Sequence, residues 1–299
     1  MEIISILNEY YPMRFDKYEE LRDGGSTSYA VFSGDDKYFL RVVKPAFFDT
    51  AIKGADIQAF LHSKGFPVPL IICSKGEYPC VQSENRLFIL CEFIEGIESD
   101  PEQDIEAIGA LVGKLHRIMK DYPGELVKRD RHFYIGRYIE FLNERIYRRA
   151  NEFLAYGDEL WKRIKDLPHG YAHGDIYCGN ILKTPNDKLV LLDFDTSCEG
   201  FQMYDAALIC DMTEYFKYDD NNYDKSNKTL TRFLPEYSKY STLNQNEINA
   251  FHDLIAMQHF ATQATIMEIF GNDCLSDKEL DGQLDWLYKW REQCDKTFR

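Results

Sequence analysis

Two short segments hold the residues best suited to chemistry: His173-Gly174-Asp175-Ile176-Tyr177-Cys178-Gly179-Asn180, then Leu191-Leu192-Asp193-Phe194-Asp195. Transfer of a phosphoryl group needs a carboxylate near the attacking hydroxyl and oxygen ligands for a hard divalent metal. Asp175, Asn180 and Asp193 supply those types in that order. The interval from 175 to 180 fits a short loop, and Asp193 lies at the end of an apolar strand. A loop and a strand end can aim three oxygen-bearing side chains at one point. Any one of the three alone is a cap or turn former; their spacings together point to a site.

The elements around these segments fall into two parts. The first ninety or so residues are strand-rich: Tyr29–Ser33 and Lys37–Val43 form a hairpin around Gly34-Asp35-Asp36. A helix is predicted over Asp49–Ser63, closed by Lys64-Gly65 and by Pro67 and Pro69. Leu70–Cys73, Tyr78–Gln82 and Arg86–Phe93 follow as further strands of that sheet. The polar segment 94–99 reads as a hinge. Asp100-Pro101-Glu102-Gln103 then starts a helix, with Asp as cap, Pro at the first position and Gln reaching back. Ile105, Ile108, Leu111, Val112, Leu115, Ile118 and Met119 recur at helical spacing, so one face is buried. Beyond this the chain reads as mostly helical, with Phe251–Phe270 and Leu280–Trp290 as its last helices. The exceptions are two short strands, Asn180–Lys183 and Lys188–Phe194, and a polar mobile loop over Lys217–Lys228.

A net charge of −15 argues against nucleic acid or an anionic membrane as the main partner, since both would be repelled. No run approaches the roughly 18 apolar residues that cross a bilayer, and Met1–Ser5 lacks a basic region leading into an apolar one. The eight cysteines are scattered without a Cys-x-x-Cys pair, which argues against a zinc site or a disulfide framework and fits reduced thiols in a cytoplasm.

The two catalytic segments resemble the catalytic loop and metal-binding strand of the aminoglycoside phosphotransferase family, related to choline, homoserine and fructosamine kinases and to protein kinases. The resemblance covers most of the chain. Gly24-Gly25-Ser26-Thr27-Ser28 resembles the phosphate-covering turn, and Tyr38-Phe39-Leu40-Arg41 the strand carrying the nucleotide-pairing cation. Gly65-Phe66-Pro67-Val68-Pro69 resembles the turn after the regulatory helix. Cys91-Glu92-Phe93-Ile94-Glu95-Gly96 is similar to the hinge, and Gly113-Lys114-Leu115-His116 to the first C-lobe helix. Tyr204-Asp205-Ala206-Ala207 resembles the segment whose Asp braces the catalytic loop.

The resemblance implies a two-lobed, protein-kinase-like α+β fold: an N-lobe sheet with a helix over 1–93, a hinge over 94–99 and a helical C-lobe over 100–299. It implies a kinase that moves the γ-phosphoryl group of Mg2+-bound ATP or GTP to a hydroxyl of a small molecule. Asp175 would accept or orient the hydroxyl proton, Asn180 and Asp193 would hold Mg2+, and Asp205 would brace the 173–180 loop. His173 would orient that loop rather than act as a base. Ser26, Thr27 and Ser28 would offer backbone N–H groups to phosphate, and Glu92 and Phe93 backbone groups to the purine. Where a lysine is usual, the chain has Arg41, which can fork onto two phosphate oxygens. Asp56 is expected as its acidic partner, with Asp49 as second choice. Asp195, where protein kinases carry glycine, has two open roles: touching a second metal or capping the turn.

Against the protein kinases it resembles, the chain has Gly174 where many carry an arginine that docks a phosphorylated activation loop, and only the nine residues 196–204 between Asp195 and Asp205, which leave no room for that loop or a peptide platform, so a small-molecule acceptor is expected. Asp211, Glu214, Glu268 and Asp273 are candidate acceptor-binding carboxylates, and if they cluster the acceptor is cationic. Two other classes compete. One is a nucleotide-binding pseudoenzyme or spore-coat-like structural protein of the same fold, for which Arg41 leaves an opening. The other is a metal-dependent hydrolase built on His173, Asp175 and Asp193, which lacks a second histidine at ligand spacing.

Overall fold

A computed structural model describes residues 3–23 and 26–297. Up to Ser99 the chain forms α1 (Ile3–Tyr10), β1 (Lys17–Arg22), β2 (Ser26–Ser33), β3 (Asp36–Val43) and α2 (Phe48–Ser63). Then come β4 (Val81–Ser83), β5 (Arg86–Glu92) and β6 (Ile97–Glu98). From Asp100 it forms α3 (Pro101–Met119), β7 (Val127–Lys128), α4 (Arg137–Glu144), α5 (Ala150–Ile164) and β8 (His169–Ala172). After these come β9 (Ile181–Lys183), β10 (Leu189–Leu191), β11 (Cys198–Phe201) and α6 (Gln202–Cys210). The last four are α7 (Asn221–Tyr237), α8 (Gln245–Asn249), α9 (Phe251–Phe270) and α10 (Asp277–Thr297). The fold is therefore α+β.

Two compact units result: Met1–Ser99 with 121–124 and Tyr177–Ser197, and the remainder. The loop and strands carrying Asn180 and Asp193 thus belong to the first unit, whereas Asp175 belongs to the second.

The first unit is built on an antiparallel sheet in the order β1-β2-β3-β5-β4. Alternation along β3 sends Leu40 and Val42 to one face and Arg41 and Val43 to the other. On the first face Ile3, Ile6 and Leu7 of α1, with Tyr11 and Phe15, cover Val31, Leu40, Val42, Phe88 and Leu90. On the second, Ala51 and Ala55 of α2 pack with Val43, Leu87, Ile89 and Cys91. Small residues on α2 let it lie close to the sheet. A second sheet, β10-β9-β6, joins segment 94–99 to β9 and β10 through Ile97–Glu98, so the expected hinge carries a strand.

The second unit centres on helices. Asp100 caps α3 by accepting from Glu102 N (2.8 Å), and the reach-back to its own N–H comes from the buried Asp104 Oδ2 (3.0 Å) rather than from Gln103. Gln103 instead donates to the Asp100 side chain. α3 packs on α7 through two glycines: a Cβ at Gly109 would meet Phe233 O at 2.5 Å, and one at Gly113 would meet Tyr237 O at 2.5 Å. Arg232 of α7 forks onto Glu106 at 2.7 and 2.8 Å across the same pairing.

Several expected elements come out differently. Leu70–Cys73 lies against β5 without forming a full strand, bridging Ile71 to Cys91 between the bonds Glu92 N to Leu70 O (2.9 Å) and Ile72 N to Leu90 O (2.8 Å), and Tyr78–Gln82 shrinks to β4 because Pro79 has no N–H to give a ladder. The expected loop at 217–228 instead opens α7 at Asn221. Its buried positions Tyr223, Ser226, Leu230, Phe233 and Tyr237 have helical spacing, but the first turns present Tyr and Ser to the core in place of aliphatic residues.

The glycine contacts set a test. Gly113→Ala is expected to cost about 1–3 kcal/mol through overpacking, despite alanine's better helix propensity. Gly282→Ala on α10, where an added Cβ meets nothing within 4 Å, should be neutral or gain up to about 1 kcal/mol. Urea denaturation of both variants checks this, and equal effects would refute the close α3–α7 approach.

Candidate active site

Asn180 and Asp193 are set side by side by backbone pairing. Ile181 and Leu191 are partners in the β9–β10 ladder, and Leu192 N donates to Asn180 O at 2.8 Å. Each candidate metal ligand therefore flanks the same end of a two-strand ribbon. Asn180 is buried at the end of a single 3-10 turn, Cys178–Asn180. Asp193 is 45% exposed at its side chain and has φ +58°, a left-handed conformation that costs a non-glycine residue energy and that Asp tolerates better than most. Turning there bends the chain so that Asp195 N approaches Asp193 Oδ1 at 3.5 Å.

An amide and a carboxylate suit Mg2+, which takes few protein oxygens and draws the rest from phosphate and water. Among the described residues no three His, Cys, Asp or Glu side chains gather as an all-protein metal cage.

Arg41 does not pair with Asp56. Its guanidinium forks onto Asp195, Nη1–Oδ1 3.1 Å and Nη2–Oδ2 2.5 Å, with Asp193 Oδ1 further off at 3.7 Å. Burial works against the Arg41 charge, and Asp195 and then Asp193 more than offset it, so the group is held more firmly protonated. Burial raises the Asp56 carboxyl, and the groups that feel its charge are the Cys80 thiol and the Tyr122 phenol.

Ser26, Thr27 and Ser28 lie inside β2, opposite Val43, Val42 and Arg41. The ladder commits alternate N–H groups there to the sheet. Gly24 and Gly25 of the expected turn lie outside the described residues. At the other edge, Glu92 N donates to Leu70 O (2.9 Å) and Glu92 Oε1 accepts from Leu70 N (2.8 Å), so the Glu92 N–H is already spent. Lys37 sits 3.5 Å from the centre of the Phe93 ring and pairs with Glu95 at 3.3 Å.

In the second unit the carboxylate of Asp205 is completely buried. It accepts from His173 N at 2.7 Å and Gly174 N at 2.8 Å, and lies 2.9 Å from His116 Nε2. His116 Nδ1 in turn meets Tyr237 OH at 2.8 Å. Burial favours the neutral acid, but the His116 hydrogen bond, the His116 and His173 charges and the Gly174 N–H outweigh it and hold the carboxyl below its usual range. Gly174 has φ +81°, so glycine lets both successive N–H groups point at one carboxylate. The fully buried His173 offers Nδ1 to Asp175 N at 3.3 Å, a positioning contact immediately before the catalytic candidate. His116 and Tyr237 had no role in the sequence reading. Of the two, only His116 was named there, within the segment Gly113–His116 that resembles the first C-lobe helix.

The four acceptor candidates differ in their surroundings. Glu214 and Asp273 are exposed, and Glu268 is neutralised by Arg137 at 2.7 Å. Asp211 alone is partly enclosed; burial pushes its carboxyl up to about 6 against hydrogen bonds from Thr213. Around it runs a neutral polar network that the sequence did not reveal. Thr213 Oγ1 meets His259 Nε2 at 3.2 Å, Gln258 donates to Tyr215 OH at 3.0 Å, and Tyr215 OH donates to Thr262 at 3.2 Å. His259 is fully buried, pushed down to about 3 and so neutral, with its ring 3.9 Å from that of Trp286. Burial raises the Tyr215 phenol, and the charges of both Asp211 and Asp175 add to the effect, so this network shares a neighbourhood with the catalytic candidate.

A profile of the phosphotransferase enzyme family (APH) matches residues 17–236. The chain belongs to this family. Solved structures similar to it include an amicoumacin kinase in complex with AMP-PNP, Ca2+ and Ami, at TM-score 0.77 and 18% identity over 99% of this chain and 93% of that one. A microcompartment-associated aminopropanol kinase is similar at TM-score 0.67 and 14% identity, over 99% and 97%. Choline kinase LicA from Streptococcus pneumoniae is similar at TM-score 0.66 and 15% identity, over 98% of each. At these identities the likeness establishes the fold, that of small-molecule kinases. No curated protein sequence matches the chain significantly.

The raised Asp211 carboxyl predicts a pH dependence. With an ordinary value near 3.9 in the unfolded chain and about 6 when folded, the folded state binds the proton more readily, so this group's contribution to stability falls as pH rises through that window. Asp211→Asn should therefore gain stability relative to wild type between pH 4 and pH 7. Urea denaturation at both values measures the difference, and a constant difference would contradict the burial of the charge.

Proposed function

We propose that this protein is a kinase transferring the γ-phosphoryl group of ATP or GTP to a hydroxyl of a small molecule, with Asp175 as its catalytic carboxylate and Asn180 and Asp193 as its metal ligands. The observation that carries this is the Leu192 N–H to Asn180 O bond, which sets an amide and a carboxylate on one ribbon end beside a forked arginine. Five residues earlier along the chain, Asp175 follows a backbone fixed by a buried carboxylate.

In this reading Asp175 orients the acceptor hydroxyl and takes its proton as the oxygen attacks phosphorus. Asn180 and Asp193 hold Mg2+, which would neutralise phosphate charge as the leaving nucleoside diphosphate departs. Arg41 clamps phosphate oxygens, and the backbone of Phe93 with the Glu92 carbonyl receives the base. Ser26–Ser28 contribute hydroxyls and the uncommitted N–H groups near the phosphates. His173 and Asp205 position the loop.

For the acceptor, the neutral network of Thr213, Tyr215, Gln258 and Thr262 favours a molecule rich in hydroxyls. Of the four candidate carboxylates, Asp211 would be the one to meet an amine. The amino-alcohol acceptors in the names of the aminopropanol and choline kinases are consistent with that pairing. Full retention of the carboxylates speaks against a pseudoenzyme. The setting proposed is the cytoplasm.

Nucleoside diphosphate release measured across a panel of amino alcohols, aminoglycosides and neutral polyols tests the reading. Asp175→Asn should cut kcat about 10²–10⁴-fold with nucleotide affinity nearly unchanged, and a variant with wild-type kcat would remove Asp175 from the mechanism. Separately, Asp193→Ala should abolish the Mg2+-dependent rise in melting temperature given by nucleotide. A full shift in that variant means that the metal is held elsewhere.

A further inference from the structure

Two chemistries are open to a carboxylate in the position of Asp195: ligand to a metal, or counter-ion to a cation. The geometry favours the second. Both of its oxygens face the Arg41 guanidinium, at 3.1 and 2.5 Å, and each side chain of the pair is 18% exposed. At such burial, an unpaired charge on either residue would cost several kcal/mol, so the pair is mutually required. A dication on the same oxygens would sit against the positive charge of the guanidinium.

The helix that faces this pair supplies no acid to it. Arg41 shares the face of the sheet that α2 covers, and at the point of contact α2 carries Gly54. A Cβ there would lie 2.7 Å from Asp195 Oδ1 and 3.0 Å from its backbone nitrogen. Gly54 is buried in the helix interior, where glycine costs about 1 kcal/mol relative to alanine. Closeness to Asp195 gives that cost a reason. The helix makes room for a carboxylate arriving from residue 195 and contributes none of its own.

We infer that Asp195 is a positioning residue that locks Arg41 in its phosphate-binding orientation, in place of an acid on α2, and that it is not a metal ligand. Gly54 is the third member of this arrangement. The inference rests on the proposed nucleotide-binding reading of Arg41. It follows that nucleotide affinity should depend on Asp195 without metal, whereas metal affinity should not depend on it.

Calorimetric titration of the full chain with ADP, in EDTA and then in Mg2+, separates these. Asp195→Asn and Arg41→Lys should each raise the ADP Kd about tenfold in EDTA, since one charge-assisted contact is worth that much. The double variant should be no weaker than the single ones, because both remove one fork. Gly54→Ala, which keeps every charge, should weaken ADP in the same direction and provides the test should Asp195→Asn fail to fold. The Mg2+ concentration for half-maximal stabilisation of the ADP complex should stay at the wild-type value. Wild-type ADP affinity in EDTA for Asp195→Asn or Gly54→Ala, or an approximately tenfold greater Mg2+ requirement for Asp195→Asn, would overturn the inference alone. Wild-type protein that binds no nucleotide at all would overturn the reading of Arg41 and this inference with it.

Discussion

A carboxylate with no contact with water has to be neutralised by its surroundings, and Asp205 is such a group. Desolvating an isolated charge costs several kcal/mol or more, so its neighbours are dictated. Two backbone N–H groups from His173 and Gly174 and the ring of His116 meet that demand. Satisfying the charge therefore fixes the backbone two residues before Asp175 through bonds that cannot slacken without exposing an unpaired acceptor. Tyr237, holding the far side of His116, passes the constraint into the α3–α7 pairing, where Gly113 admits the Tyr237 carbonyl at close range. The glycines of α3 and the position of the loop before Asp175 are thus parts of one packing solution.

The first unit solves a comparable problem with less depth. Its ribbon, β9–β10, is three residues long on each strand, too short to be stable alone. It is held instead by β6 on one side and by the Leu191 N–H to Pro67 O bond on the other. On that small platform stands Asp193, in a left-handed conformation that a supporting frame has to enforce. The Arg41–Asp195 fork ties the residues just beyond Asp193 to the central strand of the large sheet. Strain at the candidate metal ligand is thereby offset by a buried ion pair two residues away.

Much of this was legible in the sequence where spacing and residue type act locally. The hairpin around Gly34, the helix over 49–63, the periodic face of α3 and the strand ribbon that carries the two candidate segments all follow from patterns of a few residues. What was hidden depends on tertiary contact. α1 is only two turns long, its apolar face limited to Ile3, Ile6 and Leu7, and β1, Lys-Tyr-Glu-Glu-Leu-Arg, is exposed throughout, so neither stands out on its own. The start of α7 hides its buried face behind Asn, Tyr and Ser. The partner of Arg41 lies 154 positions away, and no local rule ranks Asp195 above an acid on the adjoining helix. Nothing in the local sequence marks Gly54; its meaning depends on what stands 2.7 Å from a missing Cβ.

The same distinction governs what selects the acceptor. The chain's charge of −15 invites the idea that long-range attraction chooses a cation. Exposed carboxylates such as Glu214 and Asp273 act through water and are screened over about 8 Å at physiological salt, so they raise encounter rates without discriminating one amine from another. Glu268 is held by Arg137 and contributes less still. Discrimination needs desolvated groups that leave a partner unsatisfied when the wrong molecule binds. Among the described residues, Gln258 Oε1, His259 Nδ1 and both polar atoms of Gln263 are buried without hydrogen-bond partners. In the proposed reading the first two, neutral at ordinary pH and close to Tyr215, would be the contacts through which a buried wall rejects an acceptor lacking the matching hydroxyl or amine. In the proposed reading, specificity would be a property of the interior of α9, and the surface charge would set how often the acceptor arrives.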